Sequence, residues 1–437
     1  MFNKIVGTFF TRIIVMMVML VVVVINTNTF GAEGTGTIAL VVLGLTILQL
    51  LSNMVGGGAI VYLVPRKSFS QILVLTYAWS LLSNIAGTTA LFYLRLIPEG
   101  FEWQLFILSV INSLYFIHTT LMQGKDNIRL YNLYHLFQTA TLIIGFLAVL
   151  CAAIYLDRPV RVDLYIFALT LSYLVPLLCS FGFIKKNVNR FSMSGLWELL
   201  KEMFRLGFWV QMANLAQLMN YRLNYYFIEY FAGRKPLGIF ELGTKLSEAV
   251  WVFPKSMALV QYAKLSNTPD QVYAKKLTTS FFKMVLLFSL VAVIILLVIP
   301  SGVFAFVFGP EFIEVKKVIY ALAPGIVFLS CLTIFSHHFS GFGLYWINTV
   351  SSLLGLVVTL VLGIILIPEA VKSGYMEALQ TAGIITSLSY LSSLIFSAVF
   401  FFKKTDATWK DFLFGKSDYR LLKNEFSVFR EKFSSKK

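Results

Sequence analysis

The 437-residue chain is 58% hydrophobic and only 13% charged, with a mean hydropathy of +0.79, which excludes a soluble globular protein. Its net charge of +15 does not require a nucleic-acid partner, because a polytopic membrane protein needs basic cytoplasmic loops and no nucleic-acid motif accompanies the charge. The three cysteines, Cys151, Cys179 and Cys331, fall in apolar stretches where a free thiol behaves as a small hydrophobe, so no disulfide, metal site or cofactor is expected.

About twelve apolar stretches are long enough to cross a hydrocarbon core of ~30 Å. They lie near residues 5–25, 37–63, 71–94, 103–122, 131–156, 164–184, 206–230, 237–262, 280–307, 318–340, 343–367 and 379–402. The first is apolar for too long to be a cleaved signal, and no small-residue cleavage site follows it. It carries Arg12 and ends in Phe30-Gly-Ala-Glu-Gly-Thr-Gly36, which reads as a tight turn feeding the next helix. Gly56, Gly57 and Gly58 in the second span and Gly207 in the seventh permit close helix packing or bending. Leu121-Met-Gln-Gly124 through Asn132 joins the fourth and fifth spans, and the basic segment 185–205 is the longest connection.

The seventh and eighth spans hold charges that hydrocarbon does not tolerate: Arg222 and Glu229, then Glu241, Lys245, Glu248 and Lys255. Intramembrane ionisable groups usually face a wet or protein-lined interior. At roughly 100° per residue the last four fall within about 80° of one helix face, and Gln211 and Tyr226 extend the Arg222/Glu229 stripe. Two readings stay open, a charged cavity or ion pairs that hold the bundle together. Pro254, Pro300 and Pro324 each remove a backbone donor and are candidate kinks.

The second half echoes the first. Phe231-Ala-Gly-Arg-Lys-Pro-Leu-Gly238 repeats the turn after Phe30, and His338-Phe-Ser-Gly341 through Asn348 repeats the Leu121 segment. With six spans in each half, the repeats insert with the same polarity. The expected fold is an all-α polytopic membrane protein, about twelve helices in two parallel six-helix bundles around a central cavity. Its parts are bundles over 1–184 and 206–402, a cytoplasmic linker over 185–205 and a basic amphipathic cytoplasmic tail over 403–437. Most of the 36 Lys and Arg fall on the side of the two termini, which places both in the cytoplasm. In the tail, Leu422, Phe426, Phe429 and Phe433 form an apolar stripe among Lys and Arg, suited to the anionic inner leaflet. Trp409, Phe412 and Leu413 are candidates to anchor the turn before it.

In these motifs, and in the stretch from Arg222 through Gly238, Glu248 and Pro254 to Ser266, the chain resembles the polysaccharide-biosynthesis or O-antigen flippases (Wzx-type). These belong to the multidrug/oligosaccharidyl-lipid/polysaccharide (MOP) exporter superfamily, whose first turn commonly reads like LGPEGFG. Asn224 stands where many relatives have Asp and Tyr262 where many have Pro, so neither an ion-coupling role nor a kink is carried over from those positions. The resemblance covers essentially the whole transmembrane region. It implies a flippase of the bacterial inner membrane that performs no chemistry on its cargo. That cargo is an undecaprenyl-pyrophosphate-linked oligosaccharide, such as an O-antigen or capsule repeat unit, moved by alternating access. Polysaccharide-assembly proteins are expected partners beside membrane lipids.

A pyrophosphate headgroup needs cationic donors, and Arg12, Arg222, Lys245 and Lys255 are the candidates. Arg12 reads equally as a snorkelling residue at the cytoplasmic end of its helix. Glu229, Glu241 and Glu248 either balance these cations or bind the coupling ion, H+ or Na+, and Glu241 and Lys245 are spaced to neutralise each other. Gln211, Asn214, Gln217, Asn224, Tyr225 and Tyr226 suit sugar hydroxyls and ring faces, or helix-helix hydrogen bonds. His118, His135, His337 and His338 lie near cytoplasmic span ends, as pH sensors or as ordinary hydrogen-bonding groups. A MATE-like multidrug antiporter of the same fold is the alternative, although four candidate cations against three acids favour an anionic substrate. An oligosaccharide polymerase or ligase would need a large external loop, and the longest here is on the order of a dozen residues. No nucleophile-base pair, metal cluster or phosphate-binding loop is present in the sequence.

Overall fold

The computed structural model describes residues 2–188, 190–266 and 270–413, the side chains of 2–10, 12, 13 and 263 excepted. The Arg12 side chain and the tail stripe of Leu422, Phe426, Phe429 and Phe433 lie outside the described residues. Among the described residues fourteen α-helices follow in order: α1 (Phe2–Ser52), α2 (Gly57–Leu63), α3 (Phe69–Tyr93), α4 (Glu102–Gly124), α5 (Ile128–Tyr155), α6 (Val162–Asn187), α7 (Leu196–Ala232), α8 (Arg234–Ala249), α9 (Val252–Leu265), α10 (Gln271–Val298), α11 (Ser301–Phe308), α12 (Val315–Gly341), α13 (Tyr345–Ser373) and α14 (Tyr375–Thr405). Short 3-10 turns cover Pro310–Phe312 and Trp409–Phe412. The protein is an all-α polytopic membrane protein.

Nine described helical stretches are long and apolar enough to cross a membrane. The difference from about twelve has two causes. The first two spans join in one stretch, α1 running through Gly31 into α2. The seventh and eighth miss the apolar threshold, because α7 carries its amides and charges and the eighth is split into α8 and α9. The eighth span is thus not a single helix. Tight backbone bonds from Val250 to Ser247 (3.2 Å) and from Trp251 to Glu248 (2.9 Å) close α8, and Pro254 sits in the first turn of α9, where a missing N–H costs nothing. Lys255 therefore belongs to α9, and the one-face arithmetic holds only for the residues on α8.

The chain forms two compact units. The first comprises Met1–Leu242, Ser301–Lys316 and Leu366–Leu379. In it α6 packs on α4 and α5, and α1 packs on α3, α4, α5 and α7. Val55, Leu63, Phe69, Ile117, Leu121 and Met203 form a core where α2, α3, α4 and α7 meet. A Cβ on Gly207 would lie 2.2 Å from the Met54 carbonyl, so α7 reaches the break between α1 and α2 only with glycine there.

The repeated turns share one conformation. Gly31 has φ 65° and ψ −165°, and Gly233 has φ 93° and ψ 179°, a region that is essentially glycine-only. Each glycine is followed five residues later by another, Gly36 and Gly238, and these two meet. A Cβ on Gly238 would lie 1.7 Å from the Ala32 carbonyl oxygen, and one on Gly36 would lie 2.2 Å from that of Arg234. Ala32 and Arg234 are the residues after the two turn glycines, so the contact is reciprocal.

The second unit comprises Gly243–Pro300, Lys317–Ile365 and the residues from Gln380 onward. The Asp270 carboxylate caps α10 by accepting from the amides of Val272 and Tyr273 at 2.9 and 3.0 Å. Pro300 falls between α10 and α11, whereas α12 continues through Pro324. Beside that proline the Ser387 hydroxyl accepts from Gly325 N–H at 3.1 Å and donates to the Ala321 carbonyl at 2.8 Å. A side chain thus supports the backbone ladder that the proline weakens. Ser351 and Ser393 exchange hydroxyl-to-carbonyl bonds between α13 and α14 at 3.0 and 2.8 Å, the small-residue seam expected of membrane helices. Phe412 enters an aromatic group of Phe282, Phe335, Phe401 and Phe402, and the buried Lys283 donates to the carbonyls of Asp411 and Leu413 at 3.1 and 3.0 Å. The segment after α14 is anchored through Phe412 and these carbonyls, while Trp409 and Leu413 remain exposed.

Candidate functional site

In the first unit the sequence candidates on α7 and α8 divide into two groups. On the buried side, Arg222 Nη1 donates to the Tyr225 hydroxyl at 2.5 Å, with the guanidinium 5.0 Å from the ring centroid. Tyr225 in turn donates to Glu241 Oε2, and both Tyr225 and Glu241 are buried. A phenol thus links a guanidinium to a carboxylate through charge-assisted hydrogen bonds. Gln211 is buried and accepts from Asn214 at 3.2 Å. Gln217 donates to Tyr221 at 2.8 Å.

The second group lies one turn further along α7. Arg234, the first residue of α8, donates from Nε to Glu229 Oε1 at 2.9 Å. Glu229 Oε2 and the Tyr226 hydroxyl are buried without a hydrogen-bond partner. Glu229, Tyr226 and Arg234 line a cavity of about 650 Å³ together with Arg95 and Glu99 of the α3–α4 connection and Glu102 at the start of α4, with Phe92, Tyr93 and Pro98 among its apolar walls. Arg95 has φ 55°, the left-handed position that closes α3, where Leu96 N–H bonds the Leu91 carbonyl at 2.9 Å.

Glu311 sits at the paired turns of the same unit. Its Oε2 accepts from the Ala32 amide at 2.7 Å, capping the helical segment that starts after Gly31, and its Oε1 accepts from Lys235 Nζ at 2.7 Å. The Ala32 bond first, then Lys235, holds the Glu311 carboxyl below its ordinary pKa. A depressed carboxylate contributes stability that is complete above its unfolded pKa of about 4.3 and is lost as pH falls through the folded value. The wild type should therefore lose more of its thermal unfolding midpoint between pH 7 and pH 3 than Glu311→Gln does. Equal losses in the two proteins would exclude this role.

In the second unit, Lys245 and Lys255 are exposed and Glu248 is half-buried. Lys255 Nζ lies 3.6 Å from the Trp251 ring centroid, a cation-π contact, and Trp251 Nε1 donates to Thr333 at 2.6 Å. The histidines take part in local polar and ring contacts. His118 bonds Tyr77 and Ser180, His338 meets Thr278 at 2.8 Å, His337 meets the Thr333 carbonyl at 2.9 Å, and His135 lies 4.5 Å from the Tyr131 ring.

Sequence reasoning missed Arg95, Glu99, Glu102, Arg234 and Glu311. The first four read as loop charges, and only the chain's return past α3 brings them to α7. Glu311 did carry a signal, since Gly309-Pro310 directly before a carboxylate marks a turn of the kind seen at a helix cap.

No protein-family model matches this sequence, and no curated protein does. Solved structures do. The lipid II flippase MurJ in an inward closed conformation superposes with a TM-score of 0.71 at 14% identity, over 94% of this chain and 89% of that one. An inward-facing MATE multidrug-resistance transporter of the MOP superfamily matches at 0.65 and 14%, over 88% of this chain and 94% of that one. The fold is shared with both of these transporters. A third MOP-fold protein, from Pyrococcus furiosus and described as having a binding pocket of reversed polarity, matches at 0.62 and 14%, over 93% and 96%. Identity this low shows shared MOP architecture and leaves the cargo to be argued from this chain's own residues.

Proposed function

We propose that this protein is a flippase for a polyprenyl-pyrophosphate-linked oligosaccharide in a bacterial inner membrane, with both termini cytoplasmic. The observation that supports this most is the Arg222 guanidinium, held on α7 by Tyr225, which in turn bonds Glu241, in a fold shared with a lipid II flippase. An arginine held in place presents a planar fork suited to phosphate oxygens, while a polyprenyl tail can remain in lipid. Arg12, Lys245 and Lys255 are the further proposed pyrophosphate contacts. Gln211, Asn214, Gln217, Asn224, Tyr225 and Tyr226 are proposed for the glycan, with Glu229, Glu241 and Glu248 for charge balance or H+ or Na+ coupling. Transport proceeds by alternating access of two halves, 1–184 and 206–402, joined by the linker 185–205. The tail over 403–437 holds to the anionic leaflet, and the cargo is an O-antigen, capsule or similar repeat unit supplied by polysaccharide-assembly proteins.

A MATE-like cation antiporter is the second reading, favoured by the match to the MATE transporter and by the unpartnered carboxylate oxygen of Glu229. Proteoliposomes carrying a fluorescent polyprenyl-pyrophosphate oligosaccharide, scored with a membrane-impermeant quencher, separate the two. Protein-dependent flipping under a proton or sodium gradient is expected. Export of a cationic dye with no lipid movement would replace the flippase reading with the antiporter.

A further inference from the structure

The 650 Å³ cavity lies within the range of small-molecule sites, about 300–1,000 Å³, and its lining is of mixed sign. Arg95, Arg234, Glu99, Glu102 and Glu229 all line it, with Arg234 paired to Glu229 at 2.9 Å. A simple cation meets two guanidiniums there and a simple anion meets three carboxylates, so neither is matched by the site as a whole. A neutral ligand with many hydroxyls uses both kinds of group, because each hydroxyl both donates and accepts. The Tyr226 hydroxyl and Glu229 Oε2, three residues apart on one face of α7, are buried with hydrogen-bonding capacity unused. The aromatic and proline walls offer the flat apolar surface that the C–H face of a pyranose covers.

We infer that this cavity is a saccharide-binding site, lined by Tyr226, Glu229 and Arg234 together with Arg95, Glu99 and Glu102. Counting helix crossings from the N-terminus, the α3–α4 connection and the start of α8 lie on the membrane face opposite the one where the chain begins. As a holding place for the glycan of a lipid that has crossed, the site rests on the flippase reading. Binding of a free saccharide does not depend on it. The site is separate from the Arg222–Tyr225–Glu241 relay proposed for the pyrophosphate. A glycan held here would therefore engage a different part of the cargo from the one that Arg222 holds.

The test uses lipid-free neutral oligosaccharides, a panel of hexose and N-acetylhexosamine trimers, with the full-length purified protein in detergent. The readout is saturation-transfer NMR. Transfer to at least one trimer is expected, with binding at least tenfold weaker in Tyr226→Phe/Glu229→Gln and in Glu102→Gln, and unchanged in Lys372→Gln, an exposed position outside the cavity. A thermal midpoint for each variant establishes that it is folded. The Tyr226→Phe and Glu102→Gln single variants change no charge pair seen here, so one folded comparison is retained if the double variant fails. Transfer from no trimer overturns the proposal, as does transfer that survives undiminished in Tyr226→Phe/Glu229→Gln and Glu102→Gln. The flipping assay on the same preparations keeps the two readings apart. Saccharide binding without lipid flipping supports the cavity and removes the flippase reading, whereas flipping without saccharide binding removes the cavity alone.

Discussion

Gly238→Ala is expected to be among the most damaging single substitutions in this protein, lowering the thermal unfolding midpoint sharply and reducing the yield of folded material. The added Cβ would stand 1.7 Å from the Ala32 carbonyl oxygen and 2.6 Å from its carbon, distances that no rotamer change relieves because the obstacle is backbone. Overpacking against movable side chains typically costs about 1–3 kcal/mol. Here the helix starting at Arg234 and the one starting at Ala32 must separate, so the cost should reach ~3 kcal/mol or more. Separation would also disturb the Glu311 bridge between Ala32 and Lys235. Gly36→Ala, facing Arg234 at 2.2 Å, should behave alike, whereas Gly182→Ala and Gly302→Ala, with nothing within 4 Å, should be tolerated. Detergent-solubilised midpoints measure all four, and a Gly238→Ala midpoint equal to wild type would refute the reciprocal contact.

That contact shows which parts of the architecture were legible in the chain. The two turns were visible because Phe30-Gly and Phe231-Ala-Gly interrupt apolar runs at equivalent places, and duplication leaves its trace in composition. The meeting of Gly36 with Gly238 was not visible, since it depends on two segments some two hundred residues apart crossing backbone to backbone. The charged pattern on the eighth span was legible as an intramembrane anomaly. Its one-face arithmetic failed at Val250 and Trp251, where local backbone bonds three residues back close α8 early and a new helix begins, with Pro254 in its first turn. Glu229 and Tyr226 stood out because polar groups in apolar spans are costly. Arg234, Glu99 and Glu102 did not, because loop charges are ordinary and only their approach to α7 makes a cavity.

The relay from Arg222 through Tyr225 to Glu241 allows the sharpest separation of structure from function. Ionic groups inside a membrane bundle serve either to hold helices together or to meet a ligand, and the relay as it stands is compatible with both. Glu241→Ala should cost roughly 3–5 kcal/mol, the usual consequence of removing one member of a buried charged set. Tyr225→Phe, which breaks the relay but keeps both charges, should cost less. The double variant Arg222→Leu/Glu241→Leu removes the charges together, and such replacements are commonly neutral or stabilising, so its midpoint should return toward wild type. If the relay is only an internal fastening, lipid flipping in proteoliposomes should recover with stability. If the guanidinium engages the pyrophosphate, stability should recover while flipping stays at least tenfold below wild type. A double variant that is both stable and active would remove Arg222 from the substrate path, since an interaction made with the cargo cannot be restored by apolar packing.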